Sequence, residues 1–127
     1  MELGPLGSSS VEVSALGLGT MTFGNETDET GAHDQLRHFV DAGGTFIDTA
    51  DVYSRGVSEQ IIGSWLAHFP NRDSLVLTTK GRFALSDDPS DGGAGRRYLL
   101  KAIDDSLRRL GVDHVDLYQV HGWDPQT

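Results

Sequence analysis

Residues 45–54 read TFIDTADVYS. The first half is the β-branched and aromatic run of a strand. The second half sets two carboxylates, Asp48 and Asp51, and the phenol of Tyr53 within six residues. Two further groups stand in comparable places: Lys80 closes the run LVLTTK (75–80) and His121 closes VDLYQVH (115–121). Side chains alternate across a strand, so Phe46 and Asp48 share a face, as do Val76, Thr78 and Lys80, and Leu117, Gln119 and His121. Neighbouring strands lie roughly 4.8 Å apart, which allows an acid and an amine on adjacent strand ends to pair and sets His121 beyond the lysine, about 10 Å from Asp48. Tyr53, five residues past Asp48, reaches back over the pair.

A free phenol titrates near ~10, too high for efficient proton donation at neutral pH. A nearby ammonium favours the phenolate, and a carboxylate beside that ammonium keeps it charged and fixed. An imidazole can orient a substrate oxygen by hydrogen bonding. Asp48, Tyr53, Lys80 and His121 together form an arrangement for delivering a proton to a carbonyl oxygen. The carbonyl carbon must then receive a hydride that no side chain supplies, which implies a nicotinamide cofactor.

Taken singly, each residue has a plainer reading. Asp48 reads as a helix cap or solvated strand end, Tyr53 as a packed loop aromatic, Lys80 as a surface lysine and His121 as a core histidine. Asp51 reads as solvated or paired with a neighbouring loop, and Trp65 as core. Rival chemistries use the same residues. Lys80 could form a Schiff base in a barrel aldolase. His121 and Asp124, with Asp48 or Asp51, could hold a metal, although tight ligand spacing is absent and no metal is expected.

The elements that must position these groups alternate. A hairpin over 3–13 (Leu3–Leu6 and Val11–Val13, turning at 7–10) precedes strands at Ala15–Gly19, Thr45–Asp48, Leu75–Lys80 and Val115–His121. Helical periodicity marks Ala32–Ala42, ended by Gly43-Gly44. It marks Ser58–Phe69, with Ser58 as cap and Glu59 at the positive end of the helix. It is strongest over Arg96–Leu110, where Leu99, Leu100, Ile103, Leu107 and Leu110 form one stripe. Gly111 stops that helix, and Arg108 and Arg109 complement its dipole. SDDPSDGGAG (86–95) is a loop. Regular βα alternation implies right-handed units and a parallel sheet. A dinucleotide fold would need G-x-G-x-x-G leading directly into a helix; GLGTMTFG (17–24) misplaces the third glycine. A (β/α)8 barrel usually takes about 250 residues, and the sequence carries about four of its units.

Composition narrows the setting. The 127 residues are 37% hydrophobic and 23% charged, values of an ordinary globular domain. Net charge is −9 with scattered basic residues, which argues against nucleic-acid partners. Cysteine is absent, which removes disulfides and thiolate chemistry. No stretch approaches the ~18 apolar residues of a membrane span, and residues 1–12 lack the pattern of a signal peptide, so a cytoplasmic protein is expected.

The segments GLGTMTFG, FIDTADVYSRGVSEQIIG, LVLTTKGR and SLRRLGVDHVDLYQVHGWDP resemble, in order, the N-terminal half of an aldo-keto reductase. The resemblance implies a (β/α)8 barrel closed below by a hairpin, and a tetrad of Asp48, Tyr53, Lys80 and His121. It implies NADPH-dependent reduction of aldehydes or ketones, or the reverse oxidation with NADP, NADH remaining compatible. By the same resemblance Gly19, Thr20, Met21 and Asp48 approach the cofactor, and Phe23, Tyr53 and Trp123 line the pocket for a small carbonyl substrate. The YQVHGWDP ending is most similar to the bacterial, channel-β-subunit-like branch, which makes a cofactor-binding regulatory subunit the alternative. Residues 1–127 would then be the N-terminal half of one barrel domain. Four parallel strands leave open edges and a bare inner face, so a C-terminal half-barrel in the same or another chain is the expected partner.

Overall fold

The computed structural model describes residues 1–127. An antiparallel hairpin, β1 (Leu3–Pro5) with β2 (Glu12–Ser14), comes first, Leu3 lying opposite Ser14. There follow β3 (Gly17–Gly19), α1 (Glu29–Asp41), β4 (Phe46–Asp48), α2 (Val57–Leu66), β5 (Val76–Gly81), α3 (Arg96–Leu110) and β6 (Leu117–Val120). The strands β3 to β6 form one parallel sheet in sequence order. That order is the wall of a barrel, because a doubly wound sheet reverses direction about its first strand.

Each helix is set by local chemistry. Asp28 caps α1, its Oδ1 accepting from the Gly31 N–H at 2.8 Å. The helix therefore starts at Glu29, earlier than its apolar stripe. α3 runs from Arg96 to Leu110, and Gly111 terminates it at φ 66. α2 departs from expectation. Gly56, at φ 92, precedes it, while Ser58 is wholly buried and donates to the Thr20 carbonyl at 2.9 Å rather than capping. Glu59 does not face solvent either. Its carboxylate is wholly buried, accepting from Thr79 Oγ1 and from Arg109 Nε at 2.6 Å each. The pair ties α2, α3 and β5 together at one point.

The core lies between the outer face of the sheet and the helices. Ile47, Leu75 and Leu77 pack under Leu36, Ile61, Ile62, Leu66 and Leu110. Burial of a leucine or isoleucine side chain stabilises by roughly 1.5–3 kcal/mol. The outer face thus holds the strands in place and leaves the inner face for polar groups. Half-buried Phe46, Asp48, Leu117 and Gln119 occupy that inner face. The hairpin is pinned below the sheet by Ser14, whose Oγ accepts from the N–H groups of Thr45 (3.0 Å) and Phe46 (3.3 Å).

Candidate active site

The site begins with register. Asp48 pairs with Thr78 across β4–β5, and Lys80 lies two residues farther along β5. Both side chains point to the inner face, so the lysine leans back over the end of β4. Its ammonium donates to Asp48 Oδ2 at 2.7 Å, to the Thr49 carbonyl at 2.8 Å and to the Tyr53 hydroxyl at 3.2 Å. An ammonium has three N–H bonds, and here each has a partner. Lys80 and Asp48 are largely shielded, at 13% and 31% side-chain exposure, so their attraction is only partly screened.

Tyr53 is presented by an irregular turn. Its N–H donates to the Ala50 carbonyl at 3.2 Å, and Ser54 and Arg55 follow in the left-handed region at φ 50 and 52. The phenol ring lies edge-on to His121, with centroids 5.6 Å apart. His121 sits just past β6, where its N–H donates to the Gly81 carbonyl at 3.0 Å. Its Nδ1 is buried without a hydrogen-bond partner. Burial first, and then the Lys80 charge, hold the imidazole below its ordinary pKa, against a smaller opposing pull from Asp48. The ring is therefore neutral near pH 7. Because Tyr53 oxygen accepts from Lys80, which cannot accept in return, the phenolic hydrogen is free to be donated to a group other than the lysine.

That groove has a volume of about 640 Å³, and its walls include Met21, Asn25, Tyr53, Arg55, Phe83 and His121. The structure brings Asp48, Tyr53, Lys80 and His121 to a single rim at the carboxyl ends of the strands, where barrels carry their chemistry.

A family model described as "Aldo/keto reductase family" matches residues 15–127. The chain belongs to the aldo/keto reductase family. Among curated members, the protein tas of Escherichia coli (strain K12) is 40% identical over 124 residues, 89% of this chain and 36% of its own length. The aldo-keto reductase YhdN of Bacillus subtilis (strain 168) is 36% identical over 129 residues, 98% of this chain and 39% of its own length. The solved holo form of the aldo-keto reductase AKR11C1 from Bacillus halodurans superposes with a TM-score of 0.84 at 37% identity, covering 99% of this chain and 42% of that one. The chain thus spans about two fifths of the length of these aldo/keto reductases, and its fold is a partial (β/α)8 barrel.

The remaining expected contacts divide. Met21 lies exposed on the groove rim. Gly19 is paired with Asp48, and open space lies where its side chain would stand. Thr20 is a correction: it is wholly buried, with its N–H and Oγ1 both donating to the Asp48 carbonyl, so its hydroxyl is committed inside the protein. Phe23 is a second. It is wholly buried in the core cluster and walls no groove. The aromatic wall comes from Phe83, whose ring meets His121 edge-on at 5.1 Å. Phe83 was findable as the aromatic three residues past Lys80, just beyond the strand end. Trp123 is 85% exposed and lies outside the groove, its carbonyl accepting from Arg82 at 3.0 Å. Asp124 is held by the Ala94 and Gln126 N–H groups and the Thr127 hydroxyl, which bring its pKa down to about 2. Asp51 is a third correction, since it is wholly buried rather than solvated.

Proposed function

We propose that the protein is an NADPH-dependent reductase of aldehydes or ketones, Tyr53 delivering the proton to the carbonyl oxygen. The observation that supports this reading is the triple engagement of Lys80 with Asp48, the Thr49 carbonyl and Tyr53, which leaves the phenolic hydrogen free for a substrate oxygen. The carbonyl oxygen binds between the Tyr53 hydroxyl and the His121 ring. As negative charge develops on that oxygen, Tyr53 gives up its proton, and the fixed ammonium of Lys80 stabilises the phenolate left behind. Asp48 holds Lys80 in position and balances its charge. His121, neutral, orients the carbonyl without competing as an acid. Gly19 and the exposed side of Asp48 offer the surface against which a nicotinamide lies. That cofactor, when bound, supplies the hydride to the carbonyl carbon.

The enzymatic reading is favoured over a regulatory subunit by similarity to named reductases. Norsolorinic acid reductase B of Aspergillus parasiticus is 38% identical over 130 residues, 92% of this chain and 34% of its own length. The deciding measurement is NADPH oxidation by the full-length protein with a panel of aromatic aldehydes. Tyr53→Phe should lower kcat by about 10²-fold or more while the cofactor still binds, because only the proton donor is removed. Near-normal turnover in that variant rejects the assignment. Borohydride trapping of a substrate on Lys80 would instead select the aldolase reading.

A further inference from the structure

The turn that presents Tyr53 passes through three consecutive left-handed residues: Ser54 (φ 50), Arg55 (φ 52) and Gly56 (φ 92). That conformation is costly for a residue with a β-carbon, and outliers of this kind gather at functional sites. Gly56 has no β-carbon to object. Ser54 recovers part of the cost, since its Oγ donates to the Phe23 carbonyl at 2.7 Å. Arg55 has no such return. Arg72, Arg82 and Arg109 are tied by side-chain hydrogen bonds to Asp116, the Trp123 carbonyl and Glu59. The Arg55 guanidinium is exposed and forms no side-chain hydrogen bond or ion pair, and it stands in the wall of the groove that holds Tyr53 and His121.

Beside the groove, Lys80 and Asp48 pair with each other at 2.7 Å, so Arg55 is the permanent cation in its wall left without a counter-charge. In a chain of net charge −9, an unpaired arginine in a cleft whose one neighbouring carboxylate is already paired is a local reversal of sign. A guanidinium presents a planar fork of donors that matches a carboxylate in bidentate fashion. Met21 and Phe83 supply apolar surface in the same cleft.

We infer that Arg55 is a specificity-determining residue that selects carbonyl substrates carrying a carboxylate, joined to the reacting carbonyl through an apolar spacer. The inference rests on the reductase reading for the place of the carbonyl, at Tyr53 and His121. The carboxylate docks on Arg55, the spacer lies along Phe83 and Met21, and the carbonyl oxygen meets the Tyr53 proton.

The test compares 4-carboxybenzaldehyde with methyl 4-formylbenzoate, two aldehydes that differ in charge at the far end. In the full-length protein with saturating NADPH, the acid should have the higher kcat/KM, and added salt should erode that advantage through KM. Arg55→Gln should reduce the acid-to-ester ratio of kcat/KM about 2- to 5-fold, the range for an exposed ion pair. Arg55→Lys should restore part of it. Equal treatment of acid and ester by the unmodified protein overturns the inference, as does an unchanged ratio in Arg55→Gln. A rise confined to the cofactor KM would assign Arg55 to the cofactor and also overturn it. Benzoate binding by calorimetry separates the two readings. If neither aldehyde is reduced, the reductase reading fails, while benzoate binding that Arg55→Gln abolishes still supports the anion site. No benzoate binding ends it.

Discussion

Lys80 spends all three of its N–H bonds inside the site, one of them on the Tyr53 oxygen, so the Tyr53 proton is not shared with the lysine. The tetrad was legible because strand alternation and strand-end position are local properties of the sequence. Asp51 was not. It lies between Asp48 and Tyr53, yet it turns the other way, wholly buried and with no hydrogen-bond partner for either carboxylate oxygen. It sits near Glu59, Arg109, Tyr98 and Tyr118. Burial above all, and then the Glu59 charge, push its pKa up to about 7 against the pull of Arg109. The folded protein thus holds a proton that the unfolded chain releases near pH 3.8. The stabilising contribution is complete below that lower value and is lost as pH rises through 7. Thermal unfolding followed at pH 6 and pH 8.5 should show a drop in Tm that Asp51→Asn removes. An identical drop in the variant would mean that another group releases the proton.

At the scale of elements, helical periodicity and Gly111 sufficed to place the bounds of α3, residue for residue, but not its inward face: Tyr98, Ala102, Ser106 and Leu110 are buried, while Leu100 of the expected stripe is 51% exposed. The start of α2 misled as well. Ser58 and Glu59 look like a cap and its dipole complement, and Arg109 looks like the complement at the far end of α3. All three instead reach across element boundaries, Ser58 and Glu59 wholly buried and Arg109 partly so: Glu59 and Arg109 meet over a separation of 50 residues. Local sequence cannot announce a contact of that range. The same contact explains Gly63, a residue that otherwise only weakens a helix. A β-carbon there would stand 2.4 Å from the Arg109 carbonyl oxygen and 2.9 Å from that of Leu110. Glycine lets α2 and α3 approach backbone to backbone, which brings Arg109 onto Glu59 and so fixes Thr79, the residue before Lys80. In an exposed helix Gly→Ala stabilises by up to ~1 kcal/mol. Here Gly63→Ala should destabilise by about 1–3 kcal/mol, as overpacking does, in urea unfolding. A gain in stability would show that the helices separate without cost.

The whole molecule has a finished outside and an unfinished inside. Its outer face is closed by three helices, and of the glutamate–arginine pair there Glu59 is wholly buried and Arg109 largely so. The inner face is bare, and β3 and β6 each have only one neighbour. Val120 is 52% exposed on β6, so the edge is apolar as well as unpaired. Unpaired backbone on a parallel edge is a template for another strand. In the solved relative the matched region occupies 42% of the chain, which accounts for a surface of this kind. Residues 1–127 produced alone should therefore self-associate. Light scattering should give a mass above 13.7 kDa, and dye binding should report accessible apolar surface. Lysine substitution at Val120 should lower the associated mass, because a charge on an edge strand opposes pairing. Supplying the remaining half-barrel as a separate polypeptide should do so more completely, and it should restore cofactor binding, since the groove around Tyr53 has walls on one side only. A 13.7 kDa monomer that unfolds cooperatively would show instead that the four-stranded wall is self-sufficient. Its open face would then be a surface the protein keeps, and the reductase chemistry would have to be completed within these strands.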